Sequence, residues 1–342
     1  MTLYILPIEP MDMRFSIQWE EWFKTVFRGD EIDYQWITPD DWRDRRVEPT
    51  PGGFFNPSAS MQFKAACIAK LLTYNLKHWD AVLALDGEYP GLEALEYVRM
   101  MAGVNFKIFS IWHAGTYDRH DQTTKRGLTR IGARLEEVLF DICDSVFVAT
   151  DFHKRLICTN RMVDAERIHV TGLPIDAVRL QRFSAGIDTA RQGIVFAGRL
   201  TEEKGYDIVK RLIKSTKGNW VITHEKNMPK DDYYKLLGES RIIVVPSRQE
   251  TFGYAAIEAI SAGCMPVILA GTCCREYVPP PFICENEEAM AELIKVLQSD
   301  HGYEMHKDAL RWCQEKIAAE YDYFNVIRRM LAIIKNSGGN IK

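Results

Sequence analysis

Two glutamates, Glu250 and Glu258, lie on either side of a segment that could bind a phosphorylated, hydroxyl-rich ligand. The apolar run at residues 242–246 and the Phe252-Gly253 pair predict a buried strand, a tight turn and a helix. A helix N-terminus preceded by glycine offers free backbone N–H groups to an anion. The carboxylates can accept hydrogen bonds from the hydroxyls of a ribose or a sugar. Together they predict a nucleotide-sugar site, and the alternative is a strand–turn–helix unit with surface glutamates.

A similar strand–turn–helix pattern occurs at residues 193–207. It carries Arg199 in the predicted turn and Lys204 at the start of the predicted helix. Cations normally favour the other end of a helix, because the N-terminus already carries partial positive charge. Two cations here therefore predict a bound anion such as a diphosphate. For either residue alone, an exposed basic turn is the alternative.

Polar residues also follow predicted strands in the first half of the chain. His113 follows a strand at residues 107–112, and Asp86 and Glu88 follow a strand at residues 81–85. Open α/β sheets bind their ligands at the carboxyl ends of strands, so these side chains are expected to face a cleft. His113 can equally be a buried histidine paired with the backbone, and each acid can be an ordinary turn residue.

Strands and helices alternate along the sequence, which predicts an α/β fold. Strand-like segments occur at residues 3–8, 33–38, 81–85, 107–112, 145–149 and 168–171, and four more lie near residues 194, 220, 242 and 266–269. Predicted helices separate them, which favours parallel sheets covered by helices. The 342 residues suffice for two domains, each with its own core.

The composition excludes several other classes of protein. A net charge of -4 provides no overall attraction to nucleic acid or anionic membranes. The eight cysteines lack zinc-site spacing, so reduced thiols in a cytoplasmic protein are expected, without a metal site. The N-terminus has no basic n-region and is predicted to be a first strand rather than a signal peptide. The longest mostly apolar segment, residues 253–271, contains Glu258 and Pro266, so no transmembrane helix is expected.

The motif residues resemble those of a known family. Phe-Ala-Gly-Arg-Leu at 196–200, Glu-Lys-Gly at 203–205, Val-Pro-Ser at 245–247 and Glu-Thr-Phe-Gly-Tyr-Ala-Ala-Ile-Glu-Ala at 250–259 are similar to motifs of the retaining GT-B glycosyltransferases of family 4. The resemblance implies two Rossmann-like domains with parallel sheets facing across a cleft. Residues 1–172 would form the acceptor-side domain and residues 173–320 the nucleotide-sugar domain, with a last helix at about 321–342 packing back on the first.

The resemblance also implies roles for individual residues. Glu250 would contact the transferred sugar, Glu258 the ribose, and His113 would lie close to the donor sugar. The remaining donor-binding positions would surround the diphosphate: Gly198, Arg199, Lys204, Thr251, Phe252, Gly253 and Tyr254. The implied reaction is retaining transfer of a hexose or pentose from a nucleotide diphosphate sugar, with UDP-sugar favoured, to an acceptor hydroxyl. The implied catalytic residues are His113, Arg199, Lys204 and Glu250, with no metal or other cofactor.

The first loop departs from the family pattern. Many members have a Gly-Gly loop after the first strand, where this sequence has Pro-Ile-Glu-Pro-Met-Asp-Met-Arg at 7–14. Glu9, Asp12 and Arg14 are therefore candidates, with Asp86 and Glu88, for a different acceptor site. Pro-Ile-Glu-Pro followed by Arg-Phe-Ser-Ile-Gln-Trp also resembles, over a short stretch, phage-encoded glycosyltransferases, several of which modify bases in viral DNA.

Basic stretches around Arg126 and Lys154 are compatible with such a DNA acceptor, because they would contact phosphates. The loop aromatics Trp42, Phe54 and Phe55 could stack on a flipped base. Each basic stretch can equally be a solvated helix face. Lipid or polysaccharide acceptors remain open, since cations also suit anionic membrane surfaces. The competing functions are a non-catalytic nucleotide- or nucleic-acid-binding protein and a sugar-nucleotide epimerase.

Overall fold

Two parallel β-sheets, one in each half of the chain, organise the structure. The computed structural model describes residues 1–12, 15–42, 45–50, 56–183, 191–225 and 228–338. The first sheet has the strand order β2-β1-β3-β4-β5-β6. Its strands are β1 (Leu3–Leu6), β2 (Tyr34–Trp36), β3 (Ala81–Ala84), β4 (Lys107–Ile111), β5 (Ser145–Val148) and β6 (Ile168–Val170).

The second sheet repeats the same arrangement. It has the order β11-β10-β9-β7-β8 and consists of β7 (Ile194–Phe196), β8 (Trp220–Ile222), β9 (Ile242–Val245), β10 (Met265–Leu269) and β11 (Ile283–Cys284). In each sheet the first strand pairs with the second on one side and the third on the other. This flavodoxin-like order creates a crevice beside the first strand, between β1 and β3 and between β7 and β9. The prediction of two Rossmann-like α/β units with parallel sheets is confirmed.

Helices connect and cover the strands. They are α1 (Ser16–Gly29), α2 (Pro57–Leu71), α3 (Leu92–Ala102), α4 (Gln122–Lys125), α5 (Thr129–Ile142), α6 (Asp151–Asn160), α7 (Ala177–Arg182), α8 (Tyr206–Ser215), α9 (Lys230–Glu239), α10 (Tyr254–Ser261), α11 (Glu287–Gln298), α12 (Asp300–Tyr321) and α13 (Tyr323–Gly338). Several begin at sequence-encoded caps: the Asn56 side chain accepts from the Ala59 N–H, with Pro57 as the first helical residue, and Thr150 caps α6. None of the helices in the described ranges is long and apolar enough to cross a bilayer.

The last helix returns to the first half of the chain. Helix α12 ends at Tyr321, Asp322 forms a parallel bridge with Ile175, and α13 then packs against α1. The Arg328 guanidinium lies 2.6 Å from the Asp30 carboxylate. The chain therefore crosses between the two halves a second time after α12, and the packing of α13 on α1 holds this second connection in place. The domain bounds at residues 172 and 320 stay predictions.

Candidate active site

The turn between β7 and α8 carries Arg199 and Lys204 against the neighbouring β9 strand end. Gly205 precedes α8 with a φ of 70°, and a β-carbon there would lie 2.1 Å from the Pro246 carbonyl oxygen. Only glycine combines this left-handed conformation with so close a backbone contact. Gly205 therefore brings the β7–α8 turn onto the loop that follows β9.

Lys204 and Glu250 form an ion pair at this junction. The Lys204 Nζ lies 2.7 Å from the Glu250 Oε1 and 3.3 Å from the Gln249 carbonyl oxygen. Both side chains are less than one-fifth exposed, at 17% and 14%. The Arg199 Nη2 lies 3.4 Å from the Oε1 of the buried Glu203. The contact between the β7–α8 turn and the loop after β9 thus holds two cations, Arg199 and Lys204, together with the Glu250 carboxylate.

The loop before α10 is fixed by aromatic packing. Gly253 precedes the helix with a φ of 81°, and the Tyr277 hydroxyl donates to the Phe252 carbonyl over 2.9 Å. The Phe252 ring is buried edge-on between the rings of Tyr254 and Tyr321. Because the first N–H groups of a helix lack intrahelical partners, the start of α10 presents donors to the space beside it. Phe252 and Gly253 therefore shape the loop, and neither is among the residues that line the two cavities described below.

Glu258 lies one turn into α10 and is largely buried. Its Oε1 lies 2.7 Å from the Lys230 Nζ and accepts from the Tyr234 hydroxyl over 3.1 Å. Lys230 also lies over the rings of Tyr233 and Tyr234, with 5.0 Å to each centroid. Helix α9 thus supplies a cation and aromatic faces next to the carboxylate.

His113 follows β4 and joins the site from the first half of the chain. Its Nε2 lies 2.9 Å from the Leu85 carbonyl oxygen, which can only accept, so this nitrogen carries the proton. The Thr251 hydroxyl donates to the His113 carbonyl over 2.6 Å. The ring of Phe15, just before α1, lies 5.4 Å from the imidazole and stacks on Tyr254 at 4.8 Å.

Asp86 and Glu88, which follow β3, lie around one lysine. The buried Lys64 of α2 places its Nζ 2.6 Å from the Asp86 Oδ2 and donates to the Glu88 carbonyl over 3.2 Å. No hydrogen bond reaches the Glu88 carboxyl from the described residues. Burial, with the charge of Asp86, raises the pKa of Glu88 to about 8. At neutral pH this carboxyl is therefore mostly protonated and can donate a hydrogen bond.

Replacing Glu88 with glutamine should change how stability depends on pH. The pKa of Glu88 in the folded protein is about 8, above its ordinary value of 4.5, so its stabilising contribution to the free energy of unfolding is fully present below about pH 4.5. That contribution is lost as the pH rises toward about 8, because the unfolded chain ionises first. The melting temperature of the wild type should thus fall relative to Glu88→Gln across this range. Thermal unfolding at several pH values checks this, with exposed Glu239→Gln as control; a constant difference would contradict it.

These residues line two cavities that meet at Phe15 and Arg199. The first, of about 340 Å³, lies between the two halves, and the second, of about 640 Å³, lies against the C-terminal half. The first is lined by Glu9, Lys64, Asp86, Glu88, His113, Asp121, Arg126, Lys204, Gln249, Glu250 and Thr251, among others. The second is lined by Asp12, Gly198, His224, Lys230, Tyr233, Tyr254, Ala255 and Glu258, among others.

The predicted acceptor-side residues do not all fall together. Glu9, Asp86 and Glu88 share the first cavity with His113 and Glu250. Asp12 instead lines the second cavity, with its Oδ1 3.3 Å from the Arg46 Nε. Arg14, Phe54 and Phe55 lie outside the described residues. Trp42 packs edge-on against Phe63, 5.4 Å between ring centroids.

Sequence reasoning missed three contributors to the cavities. Phe15 forms the wall shared by both, Lys64 holds Asp86, and Lys230 holds Glu258. Lys64 carries one recoverable signal, since it lies among the buried positions of α2, where lysine is rare unless paired. Phe15 and Lys230 carry no such signal, because an aromatic residue before a helix and a lysine at the first position of a helix are both common.

Hydrogen bonds join the two halves around the site. The Thr150 hydroxyl donates to the Thr251 carbonyl over 2.8 Å. The Glu276 carboxylate accepts from the backbone N–H groups of Asp151 and Phe152, over 3.0 and 2.6 Å, at the start of α6. The loop before α10 and the segment after α10 that carries Glu276 are thus hydrogen-bonded directly to the start of α6 in the first half of the chain.

Residues 209–311 match the family model described as glycosyl transferases group 1. Comparison with curated proteins found no match. Solved structures share the fold over nearly the whole chain. Sucrose-phosphate synthase from Thermosynechococcus elongatus has a TM-score of 0.72 at 12% identity, covering 97% of this chain and 98% of its own.

Two further structures contain nucleotide. The Anabaena protein HepE in complex with UDP and glucose has a TM-score of 0.64 at 12% identity, with 97% and 98% coverage. The pneumococcal O-GlcNAc transferase GtfA in complex with UDP and GlcNAc has a TM-score of 0.63 at 10% identity, with 99% of each chain covered. The family match and the shared GT-B fold indicate a glycosyltransferase.

Proposed function

We propose that this glycosyltransferase moves a sugar from a UDP-sugar to an acceptor hydroxyl with retention of the anomeric configuration. The single observation that carries the proposal is the Lys204–Glu250 ion pair, 2.7 Å long, which lines the smaller cavity together with Arg199, a residue that both cavities share. A nucleotide sugar needs this combination, because its diphosphate requires cations while its sugar hydroxyls require a carboxylate.

The nucleoside would occupy the larger cavity. Glu258 lies there, where its carboxylate can accept from ribose hydroxyls, and Tyr233 offers an aromatic face for a base. The first residues of α10, Tyr254 and Ala255, line this cavity together with Arg199, so the backbone N–H groups at the start of the helix would meet the diphosphate. UDP as the nucleotide is supported by the complexes of HepE and GtfA, which contain UDP at the same fold.

The sugar would lie in the smaller cavity, oriented by Glu250 and His113. Charge grows on the leaving diphosphate as its bond to the sugar breaks, and Arg199 with Lys204 would stabilise that charge. The acceptor hydroxyl would attack from the same face and pass its proton to the departing phosphate. These two cations would balance the negative charge of the diphosphate in place of a divalent ion, so the proposed reaction needs no metal or other cofactor.

The acceptor would enter along the wall that carries Glu9, Asp86 and Glu88. Glu88, protonated at neutral pH, could donate to an acceptor oxygen, while Asp86 is held by Lys64. A hydroxymethylated base in phage DNA stays the prediction from sequence, and Arg126 on this cavity wall supports an acceptor with phosphates nearby. Lipid and polysaccharide acceptors are the alternatives. We also propose that the protein acts in the cytoplasm.

A thermal-shift series with UDP, GDP, ADP and CMP tests the donor site. A ligand that binds only the folded state stabilises it by about 2.7 kcal/mol at a hundredfold excess over Kd. We expect UDP to raise the melting temperature most, and we expect Lys204→Ala to abolish most of that rise. Lys214→Ala, which alters an exposed lysine at the end of α8, the helix that follows Lys204, should keep it.

A series in which none of the four ligands shifts the melting temperature would overturn the donor assignment. In that case a non-catalytic protein on the same fold becomes the better account. A shift without sugar transfer to any acceptor would favour an epimerase if the sugar nucleotide is isomerised, or a hydrolase if it is split by water into free sugar and UDP.

A further inference from the structure

An exposed apolar face covers two neighbouring helices of the first half. Helices α3 and α5 pack side by side. Six large apolar side chains on them are between 49% and 73% exposed: Tyr97, Met100, Met101, Ile131, Leu135 and Val138. Met162 adds a seventh next to α5, since its backbone N–H donates to the Glu137 carboxylate over 3.3 Å. We call these seven residues the α3–α5 face.

Helix α5 is apolar on two sides. It buries Leu139, Phe140 and Ile142 against the sheet, as a surface helix should. Its exposed Ile131, Leu135 and Val138 are spaced four and three residues apart, so they form a second stripe on the outer side. A surface helix normally keeps its apolar residues on the single stripe that faces the core, so this second, exposed apolar stripe is unusual. Contiguous exposed patches of this kind mark interaction surfaces.

The end of the face nearest the cleft is basic. Arg126, Arg130 and Arg134 are all exposed along the start of α5, although the chain as a whole carries a net charge of -4. Of the acids of α5, Glu136 is buried, Glu137 is half-buried and accepts from the Met162 N–H, and the exposed Asp141 lies at the far end. Arg126 also lines the smaller cavity. The apolar stripe and its cations therefore run continuously up to the proposed acceptor entrance.

We propose that the α3–α5 face docks on an anionic lipid bilayer. Apolar side chains flanked by arginines are what an interfacial helix needs, because the former enter the acyl boundary while the latter meet anionic headgroups. A DNA backbone would use the arginines but would gain nothing from Ile131, Leu135 or the α3 methionines. A second copy paired about a two-fold axis would bring the same arginines into a shared interface.

Docking in this way brings the cavity mouth to the membrane surface. This inference rests on the proposed function. It identifies the acceptor as a lipid whose tail stays in the bilayer while the hydroxyl on its headgroup reaches the cavity wall beside Arg126. The acceptor class thereby shifts from modified DNA to lipid.

Cosedimentation of the full chain with vesicles tests the proposal. One set contains phosphatidylcholine alone and the other contains phosphatidylcholine with phosphatidylglycerol. The wild type should bind the anionic vesicles clearly more tightly than the neutral ones. Ile131→Ser/Leu135→Ser should weaken that binding roughly tenfold or more, because less apolar area enters the lipid. Arg130→Gln/Arg134→Gln should weaken it by roughly fivefold per arginine.

Matched controls separate this face from general stickiness. Met305→Ser/Val296→Ser removes two exposed apolar side chains from the other half of the chain and should leave vesicle binding unchanged. All variants should keep the UDP-induced thermal shift, which reports folding and the donor site independently of docking. The arginine variant alters exposed polar positions and tests the proposal even where the serine variant is unstable.

Three results would overturn the proposal. One is equal binding of the wild type and both face variants to anionic vesicles, or no binding at all. Another is a doubled mass by light scattering that the serine variant abolishes, which would make the face a contact between copies. The third is tight binding of duplex DNA that only the arginine variant loses, with no vesicle binding, which would return the basic stretch to nucleic acid.

Discussion

Lys204→Ala is expected to lower kcat for sugar transfer by roughly 10²–10³, about 2.7–4 kcal/mol of transition-state stabilisation. The Lys204 ammonium already lies 2.7 Å from Glu250 in the smaller cavity, which Arg199 also lines and where the diphosphate would meet the sugar. Its charge would be worth most when the leaving phosphate is most negative, because the surrounding side chains are mostly buried and water screens little. The measurement is steady-state transfer, or hydrolysis of the UDP-sugar, with kcat and KM determined separately.

Lys214→Ala is the matched control, since it removes an exposed lysine from the end of α8, the helix that follows Lys204, and should leave kcat unchanged. The substitution at Lys204 also leaves the Glu250 carboxylate without its cation, so thermal unfolding must show that the variant is folded. Lys204→Ala/Glu250→Gln removes the stranded charge and should be no more active than the single variant. Near-normal kcat in a folded Lys204→Ala protein would exclude the proposed role.

Gly205→Ala should be among the most destabilising single methyl additions in the chain, costing roughly 3 kcal/mol or more. Alanine at a φ of 70° is strained, and its β-carbon would lie 2.1 Å from the Pro246 carbonyl oxygen, so the backbone itself must move. That movement would separate the β7–α8 turn from the loop after β9. Denaturant titration measures the loss, and we expect the UDP-induced thermal shift to fall with it.

Gly103→Ala distinguishes the two causes. Gly103 has a similar φ of 63°, but a β-carbon there would meet nothing within 4 Å. Its replacement should cost only the backbone strain, about 1–2 kcal/mol. Equal losses in the two variants would mean that the contact with Pro246 adds nothing, and the turn would then owe its position to other residues.

The fold was predictable because its signals are local and repeated. Buried strands such as β9 read as apolar runs, and Gly253 and Gly205 mark the turns that follow strands. The flavodoxin-like order of both sheets was not predictable, because strand order depends on which crossovers pack, and neighbouring strands leave no pairwise signature in one sequence. The motif residues Arg199, Lys204, Glu250 and Glu258 could be named from their types and turn positions.

The side-chain partners in the site escaped prediction for a physical reason. Lys64 meets Asp86 across 22 positions of sequence, and Lys230 meets Glu258 across 28. Such pairs depend on where the sheets bring helices together, not on local pattern. Asp12 shows the same limit, since its neighbours in the sequence say nothing about which of two adjoining cavities its loop reaches.

The contacts of Thr251 would couple any separation of the two halves of the chain to the position of the loop that carries Glu250. Its hydroxyl donates to His113 and its carbonyl accepts from Thr150, so the residue next to Glu250 is bonded to the opposite half at both ends. Parting of the halves would break both bonds and release the loop next to Glu250. A ligand that binds only the joined arrangement would therefore raise the affinity for its co-substrate, and the co-substrate would raise the affinity for that ligand by the same factor.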